Sequence, residues 1–205
     1  MRKENSKITS IAAGICFVVY GIIGLFFSIK SFIDPFLVDI FGTPYLISHH
    51  GYGNRFADAV VLLYTLSSLG SISVGLGVLQ QKRKLCFIGA ISCTVAFLAQ
   101  TVIVFMGYET THLSYVVAPF NYKFIFISSA LCWFLIFICF KKESLAAGII
   151  AGGMELGRFI FICLLVLVIG DNGYNTMKPE CLCTIAVFAL VLAYIFSAVA
   201  FSSKK

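Results

Sequence analysis

Apolar residues run in long stretches along this chain, and most of the charged residues gather in the gaps between them. A helix that crosses a bilayer needs about 20 predominantly apolar residues. Six stretches satisfy this, over residues 8–29, 57–80, 85–107, 120–140, 145–170 and 181–202. The pattern predicts an all-α fold, a polytopic transmembrane helix bundle of six spans, with residues 1–205 forming a single transmembrane domain. Arg2, Lys3 and Lys7 precede the first stretch, as they would in a secretory signal. Its apolar run exceeds the usual length of about 7–15 residues and no small-residue cleavage site follows, so it reads as a retained first span.

The polar gaps assign the two sides. Lys and Arg accumulate in cytoplasmic loops of membrane proteins. With the N-terminus inside, ten basic residues fall on the cytoplasmic side and four outside: Lys30, Arg55, Lys123 and Lys178. The acids divide the other way, two inside and six outside. Both termini are therefore expected in the cytoplasm (N-in/C-in), in the cell (cytoplasmic) membrane, with a basic inner face suited to anionic headgroups. The inner connections, 81–84 and 141–144, are tight, which makes spans two and three, and spans four and five, antiparallel neighbours. The outer connections hold all three histidines and all four prolines. In the outer loop 31–56, Asp34, Pro35 and Gly42 are placed to start and end a short interfacial helix. Pro179 and Glu180 mark the start of span six, and Asp58 suits the positive end of the span-two dipole. Residues 10–15 resemble 144–149, but six small or aliphatic residues match easily by chance in this composition.

Composition reinforces the pattern. The chain is 60% hydrophobic and 12% charged, with a mean hydropathy of +1.00, against about 25% charged residues in soluble domains. The net charge of +6 is no sign of a nucleic-acid partner, because the basic residues sit as orientation signals between apolar runs. Of eight cysteines, six lie within spans, where cysteine acts as a small hydrophobe. Cys181 and Cys183, two apart on a helix, point in different directions.

Small residues forecast the packing, since helices in lipid associate where backbones approach closely. Span two carries Ser67, Ser71 and Gly75 four apart. Span five carries two such pairs, Gly148 with Gly152 and Gly153 with Gly157, on nearly opposite faces. This predicts that span five is central, packed from both sides, with span two against it or against another inner helix.

One constellation has the makings of chemistry. Glu155 and Arg158 fall near the middle of span five, three apart, where their side chains can meet. Each costs about 2.5–3.5 kcal/mol at a span centre. The fourteen Leu, Ile, Phe and Val residues of the span return a similar total, about 4–8 kcal/mol. The pair reads either as a self-neutralising structural link to Gln100, Tyr64 or serines on neighbouring spans, or as a site. In the second reading Arg158 holds an anionic or carbonyl group, with Glu155 as its partner or a proton-coupling group. Gln100, in the outer half of span three, and Arg55, before span two, complete the candidate ligand-binding set. Tyr45, Tyr52, Tyr108, Tyr115, Tyr122 and Tyr174 suit an outer aromatic belt.

His49, His50, Glu109 and His112 on the outer side are possible zinc or iron ligands. The combination is weak, because a lone Glu-x-x-His has no second copy and adjacent histidines rarely turn to one centre. No metal site is expected. Phosphate-cradling Gly-rich loops, His-Glu-x-x-His, Gly-x-Ser-x-Gly and Cys-x-x-Cys do not occur. No cofactor is indicated. The leading expectation is a protein that binds or transports a small-molecule ligand through an outward-opening intramembrane pocket. The alternatives are a scaffold or accessory subunit for a larger membrane partner and, third, a membrane-embedded enzyme using the outer His/Glu group. Beyond these, the bilayer itself is the expected partner.

Overall fold

A computed structural model describes residues 2–33, 55–108, 118–170 and 181–202. They form helices throughout, apart from two tight turns: α1 (Arg2–Ile33), α2 (Arg55–Leu79), α3 (Arg83–Tyr108), α4 (Ala118–Lys142), α5 (Leu145–Gly170) and α6 (Cys181–Ser202). Each coincides with one of the apolar stretches to within a few residues, apart from the polar first turns of α1. Three segments among the described residues are long and apolar enough to cross a membrane: Lys7–Ile29, Leu62–Leu79 and Arg83–Ile103. Ile185–Phe201 is apolar over a shorter length. The interfacial helix expected over 34–42 lies outside the described residues, as do His49, His50, Glu109 and His112.

Each of the two tight turns contains a residue in the left-handed conformation. At the end of α2, Gln81 takes a left-handed conformation with φ 56°. The Lys82 N–H then donates to the Gly77 carbonyl at 2.8 Å, and the Gln81 N–H to the Val78 carbonyl at 3.3 Å. This pair of bonds closes carbonyls that the helix end would leave open. Glu143, after α4, is likewise left-handed, with φ 53°. Ser144 then caps α5, its hydroxyl accepting the Ala147 N–H at 3.3 Å. The turns lie at the same end of the bundle, because Arg83 donates to the Glu143 carboxylate at 2.6 Å.

Neighbours in sequence are neighbours in space, and α6 returns to pack on α1, so among the described residues the six helices close into a ring, crossed only by slight contact between α4 and α6. Gly14 near the start of α1 meets Leu79 at the end of α2, which runs these two antiparallel. Gly148 near the start of α5 meets Ala198 near the end of α6. The start of α1 and the end of α6 thus share the end of the bundle where the two tight turns lie.

The small residues act where the backbones close. A Cβ at Gly75 would lie 2.6 Å from the Gly14 carbonyl oxygen, and Ser71 donates to the Phe17 carbonyl at 2.9 Å. The other side of α2 meets α3: a Cβ at Gly70 would lie 2.9 Å from the Gly89 carbonyl oxygen, and one at Gly77 would lie 2.8 Å from the Cys86 backbone nitrogen. The helix packed from both sides through small residues is therefore α2. The central position expected for span five is corrected. Helix α5 has α4 and α6 as neighbours, and its Gly148–Gly152 face packs on α6, whereas no described atom comes within 4 Å of a Cβ at Gly153 or Gly157. Two equivalent glycine pairs in sequence have opposite fates, because the ring gives α5 no third neighbour.

The distribution of polarity runs opposite to that of a water-soluble bundle. Every helix exposes large apolar side chains, among them Ile22, Leu69, Val95, Phe134, Ile160 and Phe188. Ser67, Ser71, Gln100, Ser129, Glu155, Arg158 and Ser197 are buried instead. An apolar surface this continuous needs an apolar solvent.

Candidate functional site

The site begins with the register of α5. Ala151, Glu155 and Arg158 recur four and three residues apart, which puts them on one face, and all three are buried, Glu155 to 1% exposure and Arg158 to 6%. Ile150, Gly153, Leu156, Gly157 and Ile160 occupy the outward face. From Leu145, where α5 begins, Glu155 lies about 15 Å along the axis and Arg158 about 20 Å, at 1.5 Å per residue.

Both charges are engaged. Arg158 donates through Nη2 to Glu155 Oε1 and through Nη1 to Ser129 Oγ on α4. The expected link from the pair to a serine on a neighbouring helix is present, and Ser129 provides it. Close by, the Cys132 thiol approaches the Ala151 carbonyl at 3.6 Å, a second tie between α4 and α5. Removing two charges from water costs several kcal/mol each, and only good geometry with further hydrogen bonds offsets this. Here a bidentate-capable guanidinium spans a carboxylate and a hydroxyl.

An aromatic wall stands beside the pair. Phe17 of α1, Trp133 of α4 and Tyr194 of α6 contact one another, with ring centroids 5.6–5.9 Å apart, and the Trp133 and Tyr194 rings meet edge to face at 87°. Tyr20, Cys132 and Tyr194 all lie within electrostatic range of Arg158. Four helices, α1, α4, α5 and α6, therefore converge on this point, which is where the slight α4–α6 contact across the ring belongs.

Part of the hydrogen-bonding capacity buried along α4, α5 and α6 is unspent. Glu155 Oε2, Trp133 Nε1, Tyr194 Oη and Ser197 Oγ are buried and have no hydrogen-bond partner among the described residues. Such groups are few in native proteins, and each costs about 1–3 kcal/mol if nothing meets it. The set is chemically mixed: an acceptor on Glu155, a donor on Trp133, and hydroxyls on Tyr194 and Ser197 that can serve as either.

Of the residues singled out in the sequence, the structure joins Glu155 to Arg158. Gln100 is fully buried on α3, one helix further round the ring from Ser129. Arg55 opens α2, and its side chain lies outside what is described. Tyr64 belongs to a separate cluster with Phe27 and Ile23 between α1 and α2. Ser129, Cys132, Trp133, Tyr194 and Ser197 did not stand out in the sequence. One signal was available: Trp133, Tyr20 and Tyr194 sit in the middle of apolar runs rather than in the interfacial belt, and a polar-tipped aromatic at that depth needs a partner.

A cavity of about 320 Å³ lies between α1 and α6 and is lined by Cys16, Val19, Ile185, Phe188, Ala189 and Leu192. Its lining is apolar, and Ile185, Phe188 and Leu192 belong to the outer surface of the bundle. It suits hydrocarbon and brings no polar chemistry to the buried pair. Comparison with known proteins found no family model, no curated protein and no solved structure that matches this chain.

Proposed function

We propose that this is an integral membrane protein of six spans whose ring of helices encloses a binding centre for a small ligand, reached from the outer side. Both termini lie in the cytoplasm, and the whole chain acts as one transmembrane domain in the cell membrane. The start of α1, the end of α6 and the two tight turns share one end of the bundle, and the exposed lysines of the turns there support this orientation. The observation that carries the functional reading is Glu155: one carboxylate oxygen is held by Arg158, while the other is buried without a partner among the described residues. Arg158 fixes the carboxylate in place. Glu155 Oε2 then offers a ligand an acceptor in a desolvated setting, where each hydrogen bond is strong, with the buried Tyr194 hydroxyl within electrostatic range of the carboxylate.

The test is thermal unfolding of the purified protein in nanodiscs against a panel of small amines, carboxylates, amides and polyols. At least one class raises the melting temperature of the wild type. The double variant Glu155→Met/Arg158→Met, which removes both charges, loses that response. A ligand that stabilises wild type and double variant equally places binding elsewhere and contradicts the proposal.

A second reading is favoured by one observation. Gly153 and Gly157 open a smooth face on α5 that no described residue covers. An accessory subunit would seat a helix of a larger membrane partner on such a face.

A further inference from the structure

Resting on the reading of the chain as a membrane protein, we propose that the two tight turns form one binding platform for the headgroups of anionic phospholipids. The turns 80–82 and 143–144 are far apart in sequence, yet the Arg83–Glu143 ion pair, 2.6 Å long, fixes them beside each other. That pair also removes the local acid from competition. Lys82, Lys84, Lys141 and Lys142 are all exposed around it, and Lys141 is steered by the ring of Phe137, 5.8 Å from its ammonium group. Lys7 of α1 is exposed at the same end.

The chemistry of this surface selects its partner. Ammonium groups on flexible stems act as point charges toward phosphate. They stand at the rim of an apolar belt, where a lipid can meet them with its headgroup while its chains lie against exposed Ile88 and Leu145. A soluble phosphate compound would match the charge and waste the belt. Each lysine facing an anionic leaflet is worth about a five-fold preference. The ion pair adds organisation: it holds two lysine pairs, each too small to select a lipid, within reach of the same headgroups.

Native mass spectrometry of the full chain, released from mixed phosphatidylglycerol and phosphatidylcholine nanodiscs, reads the retained lipid. The wild type is expected to retain the anionic lipid at least tenfold over the zwitterionic one, with the excess falling as salt rises. Lys84→Gln/Lys141→Gln/Lys142→Gln should lose most of that preference. The informative variant is Arg83→Gln/Glu143→Gln, which leaves the net charge unchanged and separates the turns. A fall of several-fold in its preference supports the platform, provided that its melting temperature matches the wild type in phosphatidylcholine alone. Equal retention of the two lipids by the wild type overturns the proposal. So does an uncoupled variant that behaves as wild type, because charge count alone would then suffice. Displacement of the retained lipid by millimolar glycerol phosphate would assign the site to soluble phosphates instead. Failure of the protein to reconstitute into bilayers would strike the membrane reading and leave a different mark from a loss of lipid preference.

Discussion

At the scale of single residues, Glu155 and Arg158 depend on each other. Removing one partner of a buried ion pair strands the other, at a cost of about 3–5 kcal/mol, whereas replacing both with apolar residues of similar size is often neutral or stabilising. Glu155→Met alone and Arg158→Met alone should therefore lower stability markedly, and the double variant should unfold no earlier than the wild type in a denaturant titration in detergent. A double variant as damaged as either single one would mean that the pair contributes contacts beyond its own charge balance, with Ser129 as the first place to look. The pair could be read in the sequence because two charges three apart within an apolar run have one economical solution. The residues around it were hidden for a physical reason. Trp133 and Tyr194 look like core aromatics in any apolar helix, and which way their polar tips face depends on the rotation of α4 and α6, fixed only by packing.

At the scale of helices, the glycines divide into two kinds that the sequence does not distinguish. Gly75 opposes the backbone of α1, where a Cβ would lie 2.6 Å from a carbonyl oxygen that cannot move without its helix. Gly75→Ala should cost about 1–3 kcal/mol, the usual range for overpacking. Gly153 and Gly157 face no described atom within 4 Å. Replacing both with Ala should leave the isolated chain as stable as before or raise stability by up to about 1 kcal/mol each, since alanine favours the helix. Thermal unfolding of the two variants side by side checks the contrast. A destabilised Gly153→Ala/Gly157→Ala chain would show that another helix, from a partner or a second copy, sits on that face. Element boundaries were easier to read than packing. The apolar runs place the six helices to within a few residues, apart from the polar first turns of α1. The tight turns follow from Gln81, Lys82, Glu143 and Ser144, which leave no room for anything longer. A glycine pair, by contrast, states that a face is smooth and says nothing about what meets it, which is why span five read as central and α2 took that role.

At the scale of the whole molecule, the ring explains why the polar centre is where it is. Six helices in sequence order, closed by α6 on α1, have an interior shared by several of them and an exterior that each presents separately. Apolar side chains face outward on every helix, and the ion pair, the buried serines and Gln100 face inward. The sequence carried the position of the charge pair along its helix in its spacing. The closure of the ring was not legible, because a contact between the first and last helices leaves no mark in local pattern. That closure matters to function, since it brings Phe17 and Tyr20 of α1 and Tyr194 of α6 to a pair that belongs to α5. Ligand binding requires above all that this centre exchange with the outer solution. Cys132, fully buried beside Glu155 and Arg158, is a native reporter for it. With the other seven of the eight cysteines replaced by alanine, a small charged methanethiosulfonate applied to the outer face of intact cells should modify Cys132, and Glu155→Met/Arg158→Met should change the rate. If Cys132 stays unmodified from either side of the membrane while the protein remains folded, the centre is a sealed structural ion pair and the ligand-binding account is wrong.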